Sequence, residues 1–549
     1  MKRDEMLKNL TDASTPWDII IIGGGATGLG TAVDAAARGY RTLLLEQSDF
    51  AKGTSSRSTK LIHGGVRYLQ QGNLKLVRES LRERGLLTRN APHLVKHLAF
   101  IVPNYTWWEG PFYGAGLKLY DTLAGRLGLG PSRHLSRKQT LARLSTLEPK
   151  GLRGGTVYYD GQFDDARLAI TLAQTAVDLG ATVLNYVQVT GLMKLASSST
   201  FANKGGAPKI RGVMARDLET NRQYELAARV VVNATGVFSD AVRRLDDPRA
   251  PRTLAPSQGA HIVLHRSYLP GESAIMVPKT DDHRVLFAIP WRHRVLIGTT
   301  ETTVADPQLE PRPLREEIDF LLHHAARYLT QDPRPKDVLS AFAGLRPLVK
   351  KTSVRNTALV PRDHALTVSP TGLVTITGGK WTTYRKMAED TVDCAAEVGG
   401  LPRRACSTTK LPLHGCPEKL PSARRGGPKS LLSDQPTQPD GEPWQEYGTD
   451  AAGLRALCEE NSSWAELLHP ELPHRVAEVI WAVRHEMART VDDVLARRIR
   501  LLLLDARASM ELAPTLAKCM AAELGRDAQW QQEQVTAFRK LAEGYLVPG

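Results

Sequence analysis

Near the start of the chain, Gly23-Gly24-Gly25-Ala26-Thr27-Gly28 has the spacing G-x-G-x-x-G. Three glycines so placed can cradle a dinucleotide. Gly23 permits a tight turn, Gly25 lets the backbone approach a pyrophosphate, and Gly28 lets a helix pack close to a sheet. The N-terminus of the following helix offers N–H groups and a positive dipole to the phosphates. Glu46 ends the next apolar run, where a carboxylate can accept hydrogen bonds from ribose hydroxyls. The hexapeptide alone is a weak signal, and it does not separate FAD from NAD; its flanking elements give it meaning.

Those elements are legible. Residues 18–22 (DIIII) read as a buried parallel strand, 29–38 as an Ala-rich helix stopped at Gly39, and 42–45 (TLLL) as the next strand. Together they form one βαβ unit. Farther on, residues 229–232 (RVVV) read as another buried strand, followed by Asn233-Ala234-Thr235-Gly236. An ATG after a strand resembles the second nucleotide-contacting element of FAD-binding folds, so Ala234 and Gly236 tip the balance to FAD. Helices are expected at 74–88 (on the surface), 165–178 and 382–392, and strands at 100–103, 182–186 and 373–376. Residues 260–264, 284–290 and 294–299 predict a second, antiparallel sheet. Residues 107–129 are aromatic and Gly-rich. Composition shifts after about residue 415: residues 417–443 read as a linker, and 472–487, 492–504 and 513–525 as helices, with Pro473 in the first turn of the earliest.

A chain of 549 residues exceeds one core and predicts two to four domains. Its 5 cysteines include no C-x-x-C pair, so free thiols and no metal site are expected. Residues 1–16 lack the apolar core of a signal peptide, and no window approaches the roughly 20 apolar residues of a membrane span. The expectation is a protein that is soluble or bound to one membrane face. The net charge of +14 fits an anionic membrane surface or anionic substrates. It is spread along the chain, so nucleic acid is not expected.

Residues 54–69 (TSSRSTKLIHGGVRYL) closely resemble a segment of the FAD-dependent, quinone-linked glycerol-3-phosphate dehydrogenases. So do DDAR at 164–167, IPW at 289–291, IGTT at 297–300, GLRP at 344–347 and GGKWTTYR at 378–385, in that family's order. HEMARTVDDVLARR at 485–498 resembles the family's helical domain. The resemblance implies an α/β plus helical fold with three parts. They are a Rossmann-like FAD-binding domain of the D-amino-acid-oxidase-like type, an antiparallel-sheet substrate domain and a C-terminal all-α domain. Residues 17–100, 156–255 and 340–395 would form the first and 101–155 and 256–339 the second. Residues 396–443 would connect them to the third, 444–549.

The same resemblance assigns roles. Ser55, Ser56 and Lys60 fall in a loop that wraps the flavin, with Thr59 where the family usually has Ser. His63 and Gly64 fall beside the isoalloxazine ring, and Gly379, Lys380 and Thr382 join the cofactor site. Arg67, Tyr68, Arg346, Arg362 and Lys380 face the substrate, Arg362 on the thinnest match. His261 matches the histidine of a G-S-H-I segment, here Gly259-Ala260-His261. The implied substrate is sn-glycerol 3-phosphate, oxidised at C2 to dihydroxyacetone phosphate, with electrons passed to membrane quinone. Cationic side chains suit a phosphate dianion. His261, and after it His63, suits proton removal from the C2 hydroxyl, while Arg346 or Lys380 could stabilise the alkoxide. Lys380 near the flavin would favour its anionic reduced form. Residues 107–129 fit either a bilayer interface or a domain core. The expected location is the cytoplasm, against the inner face of the cytoplasmic membrane, with a homodimer compatible. An oxygen-using glycerol-phosphate oxidase, or another FAD oxidase of the superfamily, is the main alternative; a nucleic-acid-associated flavoprotein is the remote one.

Overall fold

The computed structural model describes residues 1–11, 15–66, 69, 72–195, 208–282, 284–350, 364–417 and 444–548. Its first sheet has the order His364–Val368, Leu373–Gly378, Gln223–Asn233, Trp17–Ile22, Thr42–Leu45, Thr182–Leu184. From Leu373–Gly378 through to Thr182–Leu184 the pairings are parallel. Ile19, Ile20 and Ile21 have no exposed surface, which is why this strand reads as an unbroken apolar run. Burying each contributes roughly 1.5–3 kcal/mol. Helices Ala26–Ala37, Asp165–Asp178 and Tyr384–Val398 share one core with it. Val187–Leu195 and Lys209–Asp217 continue antiparallel from the outer half of Gln223–Asn233.

The second sheet has ten strands, built around Ser257–His265, Leu286–Trp291 and Arg294–Gly298. It is antiparallel except where Ser273–Val277 runs parallel to Val95–Asn104. Val95–Asn104, Gly154–Phe163 and Val338–Arg346 all belong to it. The boundaries read from sequence at 100/101, 155/156 and 339/340 fall inside these three strands.

The helix expected on the surface is Leu74–Asn90, and it is largely buried. Lys75, Arg78, Arg82 and Arg89 form an exposed outer face, but Glu83 and Arg84 are buried and paired. Glu83 accepts two hydrogen bonds from Arg385, both 2.7 Å, and Arg84 donates to Asp160 at 2.5 Å. Those partners, Arg385 and Asp160, lie far off in sequence, so the helix is surface on one side and buried by distant pairing on the other.

Residues 107–129 form the helix Glu109–Ala124 and a short turn after it. Leu117, Tyr120 and Ala124 face inward, whereas Trp107 is 77% and Phe112 56% exposed, with Trp108 and Leu119 beside them. One stripe is therefore core, and the aromatic stripe is surface.

The C-terminal part is helical apart from a hairpin, Leu467–His469 with Leu472–Arg475. Pro473 lies in that hairpin, and the helix expected from 472 begins only at Val476, where Glu478 accepts from Arg475 N at 2.7 Å. The expected helix 492–504 is also broken: Asp493–Arg498 is π-helical, and Arg500 has φ +67° before Leu501–Leu504. The cause is side-chain demand, since Arg497, Arg498 and Arg500 all turn inward to buried carboxylates. Most of the expected linker, residues 418–443, lies outside the described residues.

A histidine ties this part to the first sheet's helices. His414 Nδ1 lies 2.6 Å from Asp178 and Nε2 2.9 Å from Asp450. Partial burial opposes its charge, but the Asp178 and Asp450 carboxylates hold its pKa up, at about 9. A raised pKa gives stability that is complete below the unfolded value near 6.5 and is lost as pH rises through 9. Thermal unfolding should therefore show a loss of roughly 1–2 kcal/mol between pH 7 and 10 that His414→Gln removes. Equal pH slopes for the two proteins would exclude the clasp.

Candidate active site

The carboxyl ends of Trp17–Ile22, Thr42–Leu45 and Leu373–Gly378, with the turn after Gln223–Asn233, open onto one cavity of about 770 Å³. Its far wall comes from the second sheet. Cavities of roughly 300–1,000 Å³ at such sheet edges hold small ligands.

At the sheet end lie the glycines of the turn that opens the helix Ala26–Ala37. Gly23 has φ +110°, and a Cβ there would lie 2.8 Å from the Ala234 carbonyl oxygen. A Cβ on Gly28 would lie 1.9 Å from Gly23 O. Both glycines are demanded by the fold itself. Gly25 is different: a Cβ there would meet only Ser55 Oγ, at 3.1 Å, and otherwise points into open space on the cavity side. Ala26 N, at the helix start, donates to Ser55 Oγ at 2.9 Å. The Glu46 carboxylate lines the cavity and accepts from Gly24 N (2.6 Å) and Ser48 N (2.8 Å). Burial pushes its pKa up. Ala234 and Gly236 line the same end.

The other end gathers His63, Thr59, His261, Arg346, Gly379, Lys380 and Thr382. His261 sits on Ser257–His265, with Nε2 2.9 Å from the Thr59 hydroxyl and its ring stacked 5.0 Å from Phe342. Burial, then the Lys60 and Arg346 cations, hold its pKa well below that of free imidazole, so the ring is neutral. Its Nδ1 is buried without a hydrogen-bond partner among the described residues. Arg346 Nη2 donates to Thr299 Oγ1 at 3.0 Å and Nη1 to Thr300 O at 3.2 Å. Lys380 Nζ donates to Ser80 Oγ at 2.8 Å. Thr382 Oγ1 and the His63 backbone exchange hydrogen bonds of 3.3 Å.

Three expected cofactor residues lie behind the wall instead. Lys60 Nζ donates to Asp165 Oδ2 (2.7 Å) and Ser56 O (2.8 Å), with no exposed surface. Burial pulls its pKa down to about 7, against the pull of Asp165. Ser56 is buried beside it, and Gly64 N donates to the Tyr120 hydroxyl at 2.7 Å. These residues shape the wall rather than line it. Arg67, Tyr68 and Arg362 lie outside the described residues.

Two glycines carried no role in the sequence reading. A Cβ on Gly259 would lie 2.5 Å from Arg346 Nη2, and one on Gly298 would lie 2.1 Å from His261 Cδ2. They make room for the guanidinium and the imidazole. Both stand in quoted motifs, but the clash is across the sheet, so only register reveals it.

The cradle, the cavity and the buried orphan nitrogen fit a bound dinucleotide cofactor. Comparison with known proteins says which kind. Residues 18–385 match the FAD dependent oxidoreductase family, and 406–533 match the C-terminal domain of alpha-glycerophosphate oxidase. A probable mitochondrial glycerol-3-phosphate dehydrogenase of Caenorhabditis elegans is 40% identical over 98% of this chain and 75% of its own length. The mitochondrial glycerol-3-phosphate dehydrogenase of Homo sapiens is 39% identical over the same shares of the two chains. The chain belongs to the FAD-dependent glycerol-3-phosphate dehydrogenase family. A solved glycerol-3-phosphate dehydrogenase of Bacillus halodurans, complexed with FAD, superposes with a TM-score of 0.75 at 28% identity, covering 99% of this chain and 98% of that one. The cofactor of this glycerol-3-phosphate dehydrogenase family member is thus FAD.

Proposed function

We propose that this chain oxidises sn-glycerol 3-phosphate at C2 to dihydroxyacetone phosphate, with His261, Arg346 and Lys380 at the reacting end of the cavity. One observation carries the assignment: a neutral, buried imidazole and two cations share a cavity with a dinucleotide cradle. FAD, when bound, supplies the two-electron acceptor for the hydride lost from C2.

The side chains supply the rest. A neutral imidazole has a lone pair for the C2 hydroxyl proton, and the Thr59 hydroxyl fixes the ring's orientation through Nε2. Nδ1 is buried without a partner among the described residues, and such an atom costs roughly 1–3 kcal/mol. Arg346 presents a planar fork that suits phosphate oxygens or the developing alkoxide. Lys380 brings a compact charge from the opposite motif. His63, whose backbone is tied to Thr382, is the second candidate base.

The onward acceptor proposed is a quinone, met at an anionic membrane face on the cytoplasmic side. Trp107, Trp108, Phe112 and Leu119 support this, as an exposed aromatic stripe of the kind that sits at headgroup depth. No helix among the described residues is long and apolar enough to cross a membrane.

Anaerobic titration tests the reaction. The yellow protein should lose its visible flavin absorbance on addition of sn-glycerol 3-phosphate. No bleaching, with retention on heparin, would instead favour a nucleic-acid-associated flavoprotein.

A further inference from the structure

The loop from Gly53 to Lys60 serves both ends of the cavity: Ser55 Oγ meets the helix start at Ala26 N, and Thr59 meets His261. Its own backbone is held from behind by the C-terminal part. Arg500 Nη2 donates to Ser56 O at 2.7 Å and to Asp165 Oδ1 at 2.9 Å. Lys60 takes the same two acceptors, using Asp165 Oδ2. Asp165 Oδ2 also accepts from Ser58 N at 2.9 Å. One carboxylate and one carbonyl thus join two cations to the stretch between Ser55 and Thr59. Arg500 has no exposed surface, and it adopts a left-handed conformation that non-glycine residues rarely take. It does not touch the cavity.

We propose that Arg500 is a positioning residue: through Ser56 and Asp165 it sets the register of the flavin loop, and so the placing of Ser55 against the cofactor cradle and of Thr59 against His261. The C-terminal domain is then part of the active site's frame, not an appendage. The planar guanidinium matters because it spans a carbonyl and a carboxylate at once, which an ammonium on a flexible stem holds less rigidly.

The proposal rests on the FAD reading of the cavity, so FAD affinity of the unaltered, reconstituted chain is measured first; absence of binding there would sink that reading and not this one. Arg500→Lys should then weaken FAD binding roughly 10- to 100-fold, as loss of charge-assisted hydrogen bonds does. In FAD-saturated protein it should slow flavin reduction per bound flavin, with KM for glycerol 3-phosphate within about twofold, because the cations that would meet substrate are untouched. Lower thermal stability with FAD affinity and per-flavin reduction unchanged would mean a merely structural arginine and would overturn the proposal. A second measurement needs no variant. In the unaltered chain, loading FAD should slow amide hydrogen exchange in residues 493–500 together with 53–60, although the former do not line the cavity. Unchanged exchange at 493–500 would equally overturn it.

Discussion

Gly25→Val is expected to give a folded but colourless protein. Gly25 caps the helix Ala26–Ala37 at φ −86°, a conformation open to any L-residue, so the substitution adds no backbone strain. Its Cβ would meet only Ser55 Oγ, at 3.1 Å, and a side chain grows into the cavity where a pyrophosphate must approach the helix N-terminus. Losing even two charge-assisted contacts there raises the FAD dissociation constant by at least about 100-fold. Gly28→Val is the contrast. With its Cβ 1.9 Å from Gly23 O it should damage the fold as well as the colour. The check is visible absorbance of the purified proteins beside their thermal unfolding. A Gly25→Val protein as yellow as the parent would remove the cradle from the cofactor site.

The second large effect is at Arg346. Arg346→Ala should lower kcat/KM for glycerol 3-phosphate by about 100-fold or more, since a bidentate cation facing a dianion is worth more than one neutral hydrogen bond. Arg346→Lys should recover part of the loss, because charge returns without the fork. A further consequence separates substrate contact from local disorder. Arg346 is one of the cations that depress the His261 pKa, after burial and Lys60. Removing it raises that pKa, so the acidic limb of the pH–rate profile should move to higher pH. Unchanged saturation by substrate, with an unmoved limb, would take Arg346 out of the site.

Local pattern and distant pairing were unequally legible. The βαβ unit was read with both strands within one residue and the helix starting three residues late: 18–22, 29–38 and 42–45 against Trp17–Ile22, Ala26–Ala37 and Thr42–Leu45. Buried parallel strands and a glycine cradle are local signals, and the helix Asp165–Asp178 carries its own cap in Asp164. Several of the differences share one cause. Leu74–Asn90 keeps an exposed face of Lys75, Arg78, Arg82 and Arg89, but Glu83 and Arg84 turn inward to Arg385 and Asp160, partners that no window along the chain contains. The helix expected over 492–504 breaks because Arg497, Arg498 and Arg500 serve carboxylates of the first 165 residues. Lys60 and Ser56 were assigned to the cofactor by motif, yet their groups turn away from the cavity to Asp165 and Arg500. Motif position told which loop matters, while side-chain direction needed three dimensions.

Strand order has a consequence for how the chain is made. Trp17–Ile22 emerges from the ribosome well before Gln223–Asn233, the strand that pairs with one of its two edges, and that strand in turn waits for Leu373–Gly378. At roughly 5–20 residues per second, this apolar edge stays open for on the order of tens of seconds during synthesis. Such an exposed strand is a template for intermolecular pairing. Yield in a heterologous host should therefore depend on holdase chaperones and on slow growth more than on the finished protein's stability.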